Sequence, residues 1–212
     1  MFLPELPRTQ RLIDMKKNEA VITLHKPSIR ELLFFLLSGA ILSVPLTLFV
    51  DQYAGFLLIG LSDFYTSLIA VGIFSPLIEE FSKAFPLFYR HGETQKSIFS
   101  LAVCVGLGFG IFEFLTYVFV LGASPFGRLP GLFFHPASAS ITAYGIATKR
   151  PLPFYLVAVS FHLANNFLAV LAPELSLSAI IVAATVLVSW RLYEKTKEKF
   201  IEDSVCKCVA PV

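Results

Sequence analysis

The chain has 212 residues, 56% of them hydrophobic and only 15% charged, with a mean hydropathy of +0.73. Soluble domains average about 45–50% apolar and about 25% charged residues, so the composition excludes an ordinary soluble fold and points to an integral membrane protein. The net charge is +2; membrane orientation accounts for the basic residues, which give no support to nucleic-acid binding.

Residues 1–30 carry Glu5, Arg8, Arg11, Asp14, Lys16, Lys17 and Glu19 and no apolar run. This segment is not a cleavable signal peptide; it is expected to be cytoplasmic, with the first span acting as an uncleaved anchor. Apolar blocks near the ~20 residues that cross about 30 Å of hydrocarbon then follow at about 31–50, 63–89, 97–121, 129–148, 153–172 and 175–191. Between the first two, Tyr53 to Leu61 is apolar but too short to cross before Asp63, and reads as a re-entrant or interfacial piece. The predicted fold is an all-α, polytopic membrane bundle of six transmembrane helices over 31–191, followed by a basic cytoplasmic tail, 192–212.

The positive charges test that count. The residues before the first span, Arg90 and Lys96 between the second and third, Lys149 and Arg150 between the fourth and fifth, and the residues after the sixth hold 15 of the 17 basic side chains. Every second connection is therefore basic, as cytoplasmic loops are. An odd number of spans would destroy the alternation. Both termini are expected in the cytoplasm, in a multi-pass protein of the cell membrane. Cys104 lies within the third span, and Cys206 and Cys208 lie in a tail too reducing for a structural disulfide. That CxC pair could bind metal or be acylated, but an inert tail is the simpler reading, and Cys208 stands one position too early for a prenylation signal.

Against this background the polar residues inside spans are few. Glu79, Glu80 and Lys83 are on the second, Glu113 and Tyr117 on the third, His135 on the fourth, and His162, Asn165 and Asn166 on the fifth. A charge at a helix centre is unfavourable by roughly 2.5–3.5 kcal/mol on insertion scales, and such residues usually face a bundle interior or a wet cavity. Counting from the nearest cytoplasmic basic residue, Glu79, Glu113, His135 and His162 lie 11, 17, 14 and 12 residues in, about 16, 25, 21 and 18 Å at 1.5 Å per residue. Four helices thus bring acid and imidazole groups to one layer near or beyond the midplane, and a single site is expected. Glu79 and Lys83 are spaced i,i+4 and can pair, whereas Glu80 is rotated by about 100° and can address another helix. Pro76 removes a donor to the Gly72 carbonyl and invites a kink. Gly106, Gly108 and Gly110 read as close helix packing.

Two carboxylates and two imidazoles on separate helices can hold and activate water. Either they ligate a divalent metal such as Zn²⁺, with Glu80, His135 and His162 as the candidate ligands, or a desolvated glutamate acts as a metal-free general base. Asn166 could donate to the oxyanion of amide hydrolysis. Buried acids and histidines serve a transporter or proton relay equally well, but no inverted repeat is visible and the carboxylates cluster rather than line a path. No HExxH, GxSxG or membrane-core aspartate pair is present.

The motifs EEFSK (79–83), FEFLTY (112–117), RLPGLFFHPASAS (128–140) and HLANN (162–166), in this order and on separate spans, resemble those of the PrsW family of intramembrane proteases, within the wider superfamily of CAAX prenyl-protein endopeptidases and Abi proteins. Ala84 stands where the CAAX branch carries arginine, which favours PrsW. The resemblance implies a membrane peptidase that clips membrane-anchored proteins within the bilayer. Carried over by motif, Glu79, Glu80, Glu113, His135, His162 and Asn166 form its active site, supported by Lys83 and Tyr117. Glu79 or Glu80 with His135 is expected to activate water, His162 and Asn166 to stabilise the oxyanion, and Lys83 to balance the carboxylates. Ser138 and Ser140 are assigned no role, and Arg128 either positions substrate or, the favoured reading, anchors to headgroups.

Overall fold

The computed structural model describes residues 26–89, 94–171 and 177–196, nearly all of them helical, with no β-strand among them. The N-terminal segment before Lys26, Arg90, and the tail after Thr196 with Cys206 and Cys208 lie outside the described residues. The helices are α1 (Ile29–Leu57), α2 (Asp63–Phe88), α3 (Gln95–Val120), the short α4 (Pro125–Arg128), α5 (Gly131–Ala147), α6 (Pro151–Leu171) and α7 (Ser178–Lys195). By length and apolarity α1, α2, α3 and α6 can cross a membrane. Of the other three, α4 is a single turn, α5 has only 17 residues and α7 ends on Arg191, Glu194 and Lys195.

The expected re-entrant piece after the first span is not formed. Helix α1 runs on to Leu57, 29 residues in all, or about 43 Å. Continuous backbone hydrogen bonding is the cheapest way to satisfy polar groups next to lipid, and no proline or glycine pair interrupts Tyr53–Leu57. The helix begins with a capping box, in which Ser28 Oγ accepts from the Glu31 N–H and Glu31 Oε2 accepts from the Ser28 N–H.

Helix α3 is central. Its Ile98, Ala102 and Val105 are buried against Phe35 of α1, Leu87 of α2, and Ala139 and Ala143 of α5. Glycine makes these approaches possible. A Cβ at Gly108 would collide with the Leu36 carbonyl oxygen, and one at Gly106 with that of His135. The two glycines face opposite neighbours, so α3 touches α1 and α5 backbone to backbone, as the sequence pattern predicts. Substitution Gly106→Ala therefore pushes α5, and His135 with it, off α3. We expect a loss of about 1–3 kcal/mol from overpacking, read by thermal unfolding in detergent, together with reduced activity.

Wide π-helical turns interrupt α1, α2 and α3 at Gly39–Ser43, Ala70–Phe74 and Thr116–Val120. The second lies immediately before Pro76, where the sequence predicts a disturbance. There the Ser75 N–H bonds the Ala70 carbonyl instead of that of Val71. One residue further on, Pro76 has no N–H to offer. The Val71 carbonyl is thus left without a donor from its own helix, and the side chain of Asn166 on α6 supplies one at 2.9 Å.

Candidate active site

The carboxylates and imidazoles of the sequence motifs meet. Glu79 and Glu80 come from α2, Glu113 from α3, His135 from α5 and His162 from α6, and every imidazole nitrogen faces a charged partner. His162 Nδ1 is 2.8 Å from Glu80 Oε1, and its Nε2 is 3.6 Å from Glu79 Oε2. His135 Nε2 is 2.5 Å from Glu113 Oε2, and its Nδ1 is 3.0 Å from Lys83 Nζ. The two imidazoles lie 5.6 Å apart, centroid to centroid. Phe109 contacts the ring of His135, and Phe134 contacts both imidazoles.

Lys83 joins the two halves. It is fully buried, and its ammonium group has three donors for three acceptors: Glu80 Oε1 at 2.7 Å, His135 Nδ1 at 3.0 Å and Ser138 Oγ at 3.2 Å. The expected i,i+4 pairing with Glu79 gives way to i,i+3 pairing with Glu80, because Glu80 is the residue turned into the core. These contacts also assign the imidazole protons. An ammonium group has no lone pair, so His135 Nδ1 accepts and its Nε2–H donates to Glu113. The carboxylate of Glu80 likewise takes the Nδ1 proton of a neutral His162, which leaves Nε2 as an acceptor. A neutral His162 therefore cannot be the oxyanion donor expected from the motifs.

A cavity of about 540 Å³ opens beside this network, lined by Glu79, Glu113, His135, His162, Asn166 and Tyr117 among others. Glu80 and Lys83 do not line it; both are fully buried behind it. Sequence alone leaves open which glutamate meets water. The geometry separates them: Glu79 borders the cavity, and Glu80 holds His162 from behind. Asn166 uses one amide hydrogen on Val71 and accepts from Asn165 Nδ2 at 3.3 Å, so one N–H remains for a ligand.

Two residues given no place in the site by sequence reasoning belong to its surroundings. Ser138 follows His135 by one helical turn, a spacing that could have flagged it, and accepts from Lys83. Arg128 turns inward instead of anchoring outside. Its guanidinium stacks 3.5 Å from the centroid of the Tyr117 ring, stands 4.0 Å from Glu113 and lines the cavity. The turn at 129–130 between α4 and α5 hides this from helical spacing. By contrast, Ser140 bonds Ser189 of α7 and serves packing.

The metal set considered from sequence, Glu80, His135 and His162, is not assembled. Glu80 Oε1 is engaged by Lys83 and His162 Nδ1, and no group of three His, Cys, Asp or Glu side chains among the described residues could hold an ion. Two ligands at about 2.0–2.1 Å on one tetrahedral zinc lie about 3.3–3.4 Å apart. The 3.6 Å between Glu79 Oε2 and His162 Nε2 comes near this; the 2.5 Å between His135 Nε2 and Glu113 Oε2 is too short for both to be ligands. Two positions fit where a catalytic zinc takes three protein ligands, so the donor set as arranged does not fit a catalytic metal.

Compared with known families, residues 27–191 match the sequence model described as PrsW family intramembrane metalloprotease. No curated protein and no solved structure matches the chain. The family match runs from the start of α1 into α7 and takes in every helix that contributes to the cavity, so the chain belongs to the PrsW family of intramembrane proteases and is itself a protease.

Proposed function

We propose that the protein is an endopeptidase that hydrolyses a peptide bond of membrane-anchored proteins, with Glu79 as the general base toward water. The observation that carries this reading is the convergence of Glu79, Glu113, His135 and His162, from four helices, on the wall of one cavity. Within it, the carboxylate of Glu79 borders the cavity beside His162, whose Nε2 stands 3.6 Å from Glu79 Oε2, and a water bound by Glu79 there is the nucleophile. As the water oxygen bonds to the substrate carbonyl carbon, Glu79 takes its proton. It returns that proton to the leaving nitrogen as the C–N bond breaks. The remaining N–H of Asn166 is the donor for the oxyanion. Lys83 and Glu80 act from behind, fixing the tautomers of His135 and His162. The family points to protease chemistry and gives no support to the transport alternative.

The same reading takes α5 and α7 as spans too, giving six in all with both termini cytoplasmic. The alternation of basic residues supports this topology.

The test is cleavage of single-span reporter proteins by the purified chain in lipid vesicles. Turnover by the triple variant Glu79→Ala, His135→Ala, His162→Ala would overturn the site. The family's description implies a metal ion, which makes chelation the informative second arm. From the incomplete donor set we expect activity within about twofold of the untreated enzyme. Loss on chelation with recovery on adding zinc would instead make Glu79 and His162 ligands.

A further inference from the structure

A second concavity, of about 660 Å³, lies on the outer face between α7 and the α4–α5 corner. All its lining side chains are apolar, but they differ in size. Ala179 and Ala183, one turn apart on α7, are small and exposed. Phe126 and Phe133 rise on one side, at 85% and 65% exposure, and Leu187 and Trp190 on the other, at 57% and 59%. From Ala179 to Trp190 the groove follows α7 for about 16 Å, roughly three turns of a helix laid along it.

Two observations favour a helix over acyl chains in this groove. Small residues at i,i+4 expose backbone to close approach, which is how membrane helices associate and from which a flexible acyl chain gains little. More decisive is continuity: Pro130 and Val182 line both this groove and the cavity that holds Glu79. On the α1–α3–α5 side, by contrast, backbone contacts at Gly106 and Gly108 seal the bundle.

We infer that this groove is the docking surface for the transmembrane helix of the substrate, an inference that rests on the protease reading. The helix seats along Ala179 and Ala183 and passes its unwound end over Pro130 and Val182 into the cavity.

Trp190 is the chain's single tryptophan, so the groove carries its own reporter. The probe is a synthetic leucine–alanine helix of about twenty residues with bromophenylalanine at its centre, reconstituted with the full chain in phosphatidylcholine vesicles. We expect saturable quenching of Trp190 fluorescence at low peptide mole fraction. Glu79→Gln leaves the half-quenching fraction unchanged, because docking precedes chemistry. Filling the floor with Ala179→Leu and Ala183→Leu raises it about tenfold. Each of the two single variants raises it in the same direction, which guards against misfolding of the double one. Quenching that only rises linearly with peptide, as it does with brominated phosphatidylcholine, would leave lipid as the occupant and overturn the inference. Saturable quenching without any Glu79-dependent cleavage of reporters would keep the helix groove and sink the protease mechanism, so the two failures are separable.

Discussion

Replacing Glu79 by glutamine lowers kcat for reporter cleavage by about 10²–10⁴-fold, the range general-base catalysis supplies, while helical content and thermal unfolding stay near those of the parent. The two glutamates are neighbours in sequence and opposites in surroundings. Glu79 borders the cavity and faces His162 Nε2 across 3.6 Å. Glu80 is fully buried and holds both Lys83 and His162 Nδ1. Glu79→Gln keeps the shape and removes the base, so KM changes little. Glu80→Gln leaves the base in place but loosens two buried partners, and it should lower stability and kcat together. Equal kinetic losses with equal stability in both variants would contradict the division of roles.

Lys83→Met should destabilise the fold more than any other single change in the site. Removing one partner of a buried ion pair leaves the other charge uncompensated, at about 3–5 kcal/mol. Here it also strips donors from His135 and Ser138. The measurement is reversible unfolding in mixed micelles, with a double-mutant cycle against Glu80→Gln. Neutralising Glu80 removes the stranded charge, so the double variant should recover a large part of the loss. Simple additivity would mean that the 2.7 Å contact contributes no coupling. Activity adds a second readout. Without Lys83 the Nδ1 of His135 loses the donor that holds the ring in place, and kcat should stay low even where stability has been restored.

Much of this protein is legible in the order of its residues. Apolar blocks of span length, and the alternation of basic residues between them, come from the energetics of a single helix in lipid, so composition and order suffice to show a helical membrane protein. The expectation that Glu79, Glu113, His135 and His162 share one layer needs only a rise per residue, and the glycines of α3 announce close packing because nothing larger fits between two backbones. The same local physics has an edge. It makes Tyr53–Leu61 a separate piece because apolarity has no signal for where a helix stops, yet α1 runs on to Leu57.

Rotation and partner choice are different in kind. Glu79 and Glu80 are chemically identical in the chain, and only the packing of α2 against α5 and α6 decides which meets the cavity and which is sealed behind it. Arg128 turns inward because the α4–α5 corner breaks the helical register, and Asn166 is drawn to Val71 because a π-turn and Pro76 strip that carbonyl of its own donors. The sequence by itself determined which polar groups lie on apolar helices and how far along each they stand, since apolarity and rise per residue act on each helix alone. Which of them touch was decided only by the tertiary structure, because a contact depends on the relative rotation of two helices, and no single helix carries that information.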